Sequence, residues 1–357
     1  MIDPHVHCRD EGWAYKETIA HALSVAKRAG LDGIFDMPNN QPITTTREAV
    51  LRRLDLADKV NSSVFYGLYV GVTADPQQLE EAVRVHHEFF PRVVGLKMFA
   101  GHSVGNLAVI EEEQQRLVYR TLAELGYQGV LVVHCEKEAF LHPELWNPQK
   151  ISSHSLARPP EAETRSVIDQ IKFSKVGGFK GHLHIAHVSV PASVLIIDDE
   201  AERGNSHLSC GITPHHCLLG YDIVPFREEN PLIYKVNPSL RETAMAGRMS
   251  EFLQKGMIDW IETDHAPHLI KEKTDAPYLS GFPGLAFYPH FINYLRLTGF
   301  SNDQISSLTH TNIERVFGFK IPTRGVTPDY SLHQEYEVDV YLKSRELVAR
   351  EEKRLRG

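Results

Sequence analysis

Two histidines stand one residue apart in the opening segment of the sequence, "MIDPHVHCRD". In an extended strand, residues i and i+2 point to the same face, so His5 and His7 would project side by side. Two imidazoles on one face can hold a metal ion. The opening segment therefore indicates a metal site, provided that other ligands reach the same place.

Further polar residues fall at the ends of other predicted strands. Arg9 and Asn39 follow the first and second strands, His134 and His187 end the fifth and sixth, and Asp264 ends the eighth. Barrel enzymes place their sites at the carboxyl ends of their strands. Histidines and a carboxylate that converge on one rim favour a divalent metal of the zinc type.

The sixth predicted strand carries more than one histidine. His184 and His187 are three residues apart, so they are expected to face opposite ways, and only one can face the rim. His187 is preferred because it is closer to the carboxyl end of the strand. His182 and His184 form a second pair, which lies deeper in the strand and is interpreted as structural.

Lys97 ends the predicted fourth strand. If the site held two divalent metal ions, they would repel the ammonium group of this lysine. The residues alone leave two interpretations open. The side chain could point away from the metals. Alternatively, its amine could react with CO₂ to give a carbamate, an anion whose two oxygens can bridge two metal ions.

The elements that must position these residues follow a regular pattern. Eight short apolar runs rich in Val and Ile alternate with longer helical patterns, and the chain of 357 residues is long enough to form an α/β barrel. Eight near-equal units favour a closed (β/α)₈ TIM barrel over a doubly wound sheet. We expect one domain over residues 1–357, with a C-terminal extension at about residues 320–357 that combines short strands and a helix.

Composition excludes several classes of function. The net charge of -8 gives no footprint for nucleic acid or for an anionic membrane, and no apolar run has transmembrane length. Four cysteines in a chain of this size do not indicate a disulfide framework. We therefore expect reduced thiols and a cytoplasmic protein.

Taken together, these residues and their surroundings resemble the dihydroorotases of the amidohydrolase superfamily, from Ile2 to about Phe317. The motifs occur in the order "DPHVHCRD", "MPNNQP", "GLKMFAG", "VVHCE", "ARPPEAE", "LHIAHVS", "GITPHH", "VNPSLR", "TDHAPH" and "GFPG". The resemblance implies a TIM barrel of the metal-dependent hydrolase type. Relatives with an N-terminal extension form a side β-sandwich from it, and because this sequence begins at the motif, little or no accessory β-sandwich is expected.

The resemblance also implies a centre of two Zn²⁺ or other divalent ions. In it, His5, His7 and Asp264 would bind the more buried ion, and His134 and His187 the more exposed one. Asp264 would also be the catalytic acid and base.

Lys97 would carry a CO₂-derived carbamate that bridges the two ions. No "DDG" segment, the alternative bridge in some relatives, lies between Lys97 and His134. Gly211 stands where some relatives have a glutamate for a third metal, so no third ion is expected. The loop at residues 101–106 stands where relatives have a mobile active-site loop, and its Ser103 is a candidate hydrogen-bond donor.

Substrate binding is implied as well. Arg9, Asn39 and His268 would bind a substrate carboxylate, and Asn237 and Pro283 would contact the substrate ring. The implied reaction is the reversible cyclisation of N-carbamoyl-L-aspartate to L-dihydroorotate in pyrimidine biosynthesis. The alternatives are an allantoinase-like or hydantoinase-like cyclic amidohydrolase and a non-catalytic partner of aspartate transcarbamoylase. The expected partners are a small-molecule substrate, a second copy in a homodimer and, as a candidate, aspartate transcarbamoylase.

Overall fold

The structure, a computed structural model, describes residues 1–102, 107–224 and 230–356, with side chains as far as residue 354. Eight parallel strands lie in one sheet in sequence order, which confirms the predicted barrel topology. The strands β1 to β8 are Ile2–Val6, Gly33–Asp36, Phe65–Gly71, Val93–Ala100, Val130–Cys135, His182–Ile185, Leu208–Ile212 and Trp260–Ile261. A bridge between Val6 and His265, with the His7 amide donating to the His265 carbonyl at 2.8 Å, brings the chain after β8 beside β1.

Helices cover the outside of this sheet. The helices α1 to α14 are Ile19–Arg28, Arg47–Val60, Pro76–Phe89, Glu112–Glu124, Ser153–Ala157, Pro160–Val176, Pro191–Glu202, Pro214–Leu218, Thr243–Gln254, Ile270–Thr274, Tyr288–Leu297, Asn302–Ser306, Asn312–Phe317 and Leu342–Arg356. Thr18, Thr46 and Asp75 cap the first three helices through their side-chain oxygens, as residues of these types commonly do. Within the described ranges, none of the helices combines the length and apolar character that a membrane crossing needs.

Two apolar cores hold the elements in place. The larger one packs the helices against the outer faces of the strands. The smaller one includes Val130, Val132 and Trp260 together with the rings of Phe35 and Phe317, whose centroids are 5.1 Å apart. Because alternate strand residues share a face, His134 continues the row formed by Val130 and Val132 and points into the barrel.

The prediction of short strands in the C-terminal extension, at about residues 320–357, is wrong for the described residues. Residues 322–330 have no regular structure, Leu332–Glu335 is a single 3₁₀ turn, and a helix occupies Leu342–Arg356. The apolar residues of this segment pack on the outside instead, and the Tyr341 ring stacks on Phe287 with centroids 4.0 Å apart. The eight strands form a nearly closed barrel, in which a bridge between Val6 and His265 joins β1 to the chain after β8, so little edge is left for an added strand. The single-domain organisation stays a prediction.

Candidate active site

The tightest cluster of potential metal ligands among the described residues combines side chains from the first and the last strand regions of the barrel. His5 lies in β1, His7 follows it, and Asp264 follows β8. One ligand atom from each lies within 4.8 Å of the others. The Oδ1 atom of Asp264 is 3.0 Å from His7 Nε2 and 3.5 Å from His5 Nε2. The predicted same-face pair thus converges on a carboxylate.

Two further histidines lie beside this cluster. His134 Nδ1 is 3.2 Å from His187 Nε2, and the His187 ring centroid is 5.0 Å from that of His5. The other nitrogen of His134, Nε2, is 3.0 Å from a carboxylate oxygen of Glu136. Arg158 pairs with that carboxylate, so it keeps Glu136 ionised and fixes the His134 ring. The structure therefore brings all four predicted histidines together.

Lys97 lies in β4 and is fully buried. Its Nζ atom has no hydrogen-bond partner and is 4.9 Å from the centroid of the Phe99 ring. Burial lowers the pKa of Lys97 to about 8, although the Glu262 and Asp264 carboxylates favour its charged form. A buried amine with a lowered pKa is neutral in a larger fraction of molecules, and a neutral amine is nucleophilic.

Burial sets the protonation of the histidines. It lowers the pKa of His5 to about 4, helped by the nearby Lys97 charge, and it lowers the pKa values of His7, His134 and His187 as well. These rings are therefore neutral near pH 7 and can offer a lone pair to a metal. Burial also raises the pKa of Asp264, which suits a group that takes and returns a proton.

Three of these residues have a left-handed backbone conformation. The φ angles are 49° at Arg9, 40° at His187 and 48° at Asp264. Such angles are uncommon outside glycine and concentrate at functional sites, where the surrounding structure enforces them. Each residue lies just after its strand, so the turn of the chain directs its side chain inward.

This conformation corrects one expectation from the sequence. His184 was expected to face away from the barrel interior if His187 faced inward, but both side chains point inward. His184 stacks on Trp260 with ring centroids 4.0 Å apart, whereas His187 lies beyond the end of β6, where strand alternation no longer applies. Ser209 bonds His184 Nδ1 at 2.9 Å and His182 Nε2 at 2.7 Å, as fits two histidines inside the sheet.

A cavity opens over the cluster. Arg9 and Asn39 line it together with the histidines and Asp264. Arg9 is buried, its Nε donates to the Pro267 carbonyl at 3.3 Å, and its Nη2 is 3.2 Å from His268 Nε2. Its Nη1 atom has no hydrogen-bond partner. A buried guanidinium with an unused donor is suited to binding an anionic group.

The remaining predicted substrate residues differ in position. Asn237 lines the cavity, and its Oδ1 is 3.0 Å from His154 Nε2. His268 stands behind Arg9 and does not line the cavity. Pro283 is buried, and it too lies outside the cavity wall, which contains Ser280 and Gly281 from the same segment. The "GFPG" motif located this segment within a few residues, but it gave no means of choosing among them. Ser103 lies outside the described residues.

Sequence reasoning also missed a buried carboxylate, Glu262. It stands two residues before Asp264, so strand alternation could have identified it as facing the same interior. Glu262 Oε2 accepts from Trp260 Nε1 at 3.2 Å and lies 3.3 Å from His184 Nε2, and Oε1 accepts a hydrogen bond from the His187 amide. A Cβ at Gly211 would lie 2.6 Å from the Glu262 carboxyl carbon. The glycine therefore provides the room for this carboxylate.

Comparisons with known proteins agree with this geometry. A dihydroorotase from Staphylococcus aureus (strain Mu50) is 32% identical over 305 residues, which cover 82% of this chain and 67% of the relative. A dihydroorotase from Methanosarcina mazei is 30% identical over 355 residues, which cover 96% of this chain and 73% of the relative. The chain belongs to the dihydroorotase family of cyclic amidohydrolases. No family model matches the sequence.

Solved structures confirm the fold of this family member. An L-hydantoinase (dihydropyrimidinase) from Arthrobacter aurescens superposes with a TM-score of 0.79 at 23% identity, covering 92% of this chain and 73% of that one. A dihydropyrimidinase from Brevibacillus agri gives a TM-score of 0.74 at 21% identity, with coverages of 92% and 73%. The described barrel therefore has the architecture found in these two hydrolases.

Proposed function

We propose that this dihydroorotase-family protein catalyses the reversible cyclisation of N-carbamoyl-L-aspartate to L-dihydroorotate, with loss of one water. The observation that carries the proposal is the unused Nη1 donor of Arg9, which belongs to the same cavity as the cluster formed by His5, His7 and Asp264. N-carbamoyl-L-aspartate and L-dihydroorotate each carry a carboxylate that takes no part in the reaction. A cyclic amide without that carboxylate would leave a buried cation unmatched, and an unmatched buried charge is costly.

The side chains fit a metal. Neutral imidazoles and a carboxylate are the ligand types that Zn²⁺ favours. Buried nitrogen atoms without hydrogen-bond partners among the described residues occur at His5, His7, His187 and Lys97. We propose that His5, His7 and Asp264 hold one divalent ion, and that His134 and His187 hold a second one.

We further propose that Lys97 completes this centre as a carbamate. Its neutral amine attacks CO₂, a carbon–nitrogen bond forms, and one proton leaves to solvent, which gives a carboxylate on a neutral nitrogen. The burial of Nζ and its lack of a hydrogen-bond partner among the described residues support this step. A carbamate would supply the negative charge that two dications require, where an ammonium would repel them.

Divalent ions, when bound here, would lower the pKa of a water molecule and polarise a carbonyl oxygen. In the direction of ring opening, Asp264 accepts the proton of the attacking water and delivers it to the ring nitrogen as the carbon–nitrogen bond breaks. Its place on the cavity wall beside His7, whose Nε2 is 3.0 Å from its Oδ1, supports this role. In cyclisation, the same carboxyl group returns the proton to the departing hydroxyl.

Arg9 and Asn39 bind the substrate carboxylate from the wall of the cavity. His268 acts from behind, where it is 3.2 Å from both Arg9 Nη2 and Lys16 Nζ. Asn237 lies on the wall near Gly281, so it is placed to contact the ring. This arrangement selects a substrate with an anionic group at one end and a cyclic amide at the other.

The decisive experiment is turnover of the Zn²⁺-loaded protein with three compounds: L-dihydroorotate, hydantoin and allantoin. The proposal expects dihydroorotate to be hydrolysed with the highest kcat/KM. Preference for either of the uncharged rings would establish a hydantoinase-like or allantoinase-like activity instead. A metal-loaded protein that turns over none of them would support the non-catalytic alternative.

We also propose a cytoplasmic homodimer that associates with aspartate transcarbamoylase as a candidate partner. All four cysteines are buried and unpaired, which suits a reducing compartment. Light scattering of the purified protein, alone and mixed with the transcarbamoylase, tests both associations. A monomeric mass at micromolar concentration would refute the dimer, and an unchanged mass in the mixture would refute the complex.

A further inference from the structure

Glu262 connects the two histidine groups of the site. Its Oε1 atom is 3.6 Å from His5 Nδ1, and the same atom accepts a hydrogen bond from the His187 amide. His5 belongs to β1 and His187 follows β6, so one carboxylate oxygen lies between the two sides of the cluster. His5 Nδ1, the ring nitrogen nearest to it, is buried and has no hydrogen-bond partner among the described residues. The carboxylate itself is fully buried, and Trp260 and His184 hold its other oxygen.

The two ring nitrogens of His5 face different carboxylates. Nε2 faces Asp264, towards His7, and Nδ1 faces Glu262. A histidine that binds a metal through one nitrogen usually donates the proton of the other to a carboxylate or carbonyl, which fixes both the tautomer and the ring orientation. Glu262 stands where that acceptor is needed.

Gly211 supplies independent support for this arrangement. The Cβ of any other residue at this position would lie 2.6 Å from the Glu262 carboxyl carbon and 2.7 Å from its Oε2. Gly211 belongs to β7, and its φ angle lies outside the left-handed region that favours glycine. The space that it leaves is filled by the carboxylate.

We propose that Glu262 is a positioning residue of the metal centre. It accepts the Nδ1 proton of His5 and holds the His187 backbone, so that His5 offers Nε2 to the ion beside His7 and Asp264. This inference rests on the proposed metal site. Glu262 does not line the cavity, so it acts through His5 and His187.

The test measures Zn²⁺ affinity rather than activity. Apoprotein is titrated with Zn²⁺ in competition with a chromophoric chelator, for the wild type, Glu262→Gln and Gly211→Ala. The Glu262 carboxylate offers two acceptor oxygens to the N–H groups around it, whereas a glutamine side chain offers one oxygen and one NH₂ group. In Glu262→Gln, the NH₂ group must therefore face one of the surrounding N–H donors. We expect Kd to rise about 10- to 100-fold in Glu262→Gln, the range found for such supporting groups. Gly211→Ala displaces the carboxylate without removing it, so a rise of the same order is expected.

The double variant and a control make the result specific. If both substitutions act through the same carboxylate, the double variant has nearly the Kd of Glu262→Gln rather than the product of the two effects. Glu314→Gln is the matched control, because Glu314 is also buried but bonds Lys320 Nζ and the Ile321 amide, away from the site. Its Kd should equal that of the wild type. Thermal unfolding of each apoprotein shows whether the variant is folded.

A measurement on the wild-type protein tests the proposal even if the variants do not fold. Neutron diffraction of the Zn²⁺-loaded wild type should show a deuterium atom on His5 Nδ1, directed at Glu262. A deuterium on Nε2 would overturn the proposal, and so would variants that bind Zn²⁺ as tightly as the wild type. If the wild type itself binds no Zn²⁺, the metal site of the proposed function fails instead.

Discussion

Replacing Arg9 by methionine tests how this protein selects its substrate. Methionine keeps an unbranched apolar stem but removes the guanidinium, whose Nη1 has no protein partner and belongs to the cavity wall. A hydrogen bond to a charged group contributes about 1.5–3 kcal/mol. Since about 1.4 kcal/mol corresponds to a factor of ten, KM for dihydroorotate should rise roughly 10- to 150-fold. Arg9 lies outside the ligand cluster of His5, His7 and Asp264, so the metal content should stay the same.

The assay combines steady-state kinetics with metal analysis of the same preparation. Dihydrouracil, which is dihydroorotate without its carboxylate, serves as a second substrate, and its kcat/KM should change less than threefold in Arg9→Met. Arg324→Met is the matched control, because Arg324 is also largely buried and pairs with Asp32 before β2, at the opposite end of the barrel. An unchanged KM for dihydroorotate, or an equal loss on both substrates, would refute the assignment of Arg9 to the carboxylate.

Three other predictions concern the proton, the carbamate and pH. Asp264→Asn should lower kcat at least 100-fold, because an amide cannot accept and return the proton. Calorimetry should show that the variant still binds dihydroorotate. A kcat within tenfold of the wild-type value would exclude the proposed proton transfer. Labelled ¹³C-bicarbonate should give a carbamate NMR signal in the wild type that is missing from Lys97→Ala, and equal spectra would count against the carbamate. Burial lowers the pKa of His86 to about 4 from 6.5, so the unfolded chain binds more protons between these values and unfolding becomes easier as pH falls. We therefore expect the free energy of unfolding of the wild-type apoprotein, measured with urea, to fall between pH 7 and pH 5 by about 2 kcal/mol more than that of His86→Gln. Parallel pH profiles of the two proteins would contradict this.

The barrel was predictable because its signals are local and repeated. Each strand is a short apolar run, the first three helices begin at the capping residues Thr18, Thr46 and Asp75, and eight strand–helix units leave few alternatives. The prediction for the C-terminal segment was wrong because its structure depends on contacts with residues distant in the sequence. Its apolar residues alternate as they would in a strand, but residues such as Val338 and Tyr341 are buried by packing on the barrel. Only the nearly closed barrel, which depends on all eight strands, shows that little edge is free for another strand.

The site was predictable where a residue's type fixed its chemistry. Histidines, an aspartate, an arginine and a lysine at strand ends could be chosen from the sequence, and the structure brings them together. The left-handed turn at His187 could not be predicted, because it depends on neighbours such as Glu262 that hold the backbone. Ser280 and Gly281 were missed since small residues show no chemical signal before the cavity is known.

One cavity is proposed to bind divalent metal beside a receptor for a substrate carboxylate. A crystal structure of the Zn²⁺-loaded protein with L-dihydroorotate, measured at the zinc absorption edge, tests it most directly. We expect one anomalous peak among His5, His7 and Asp264 and another beside His134 and His187, with the substrate carboxylate on Arg9. Anomalous peaks elsewhere, or a carboxylate that turns away from the guanidinium, would contradict it.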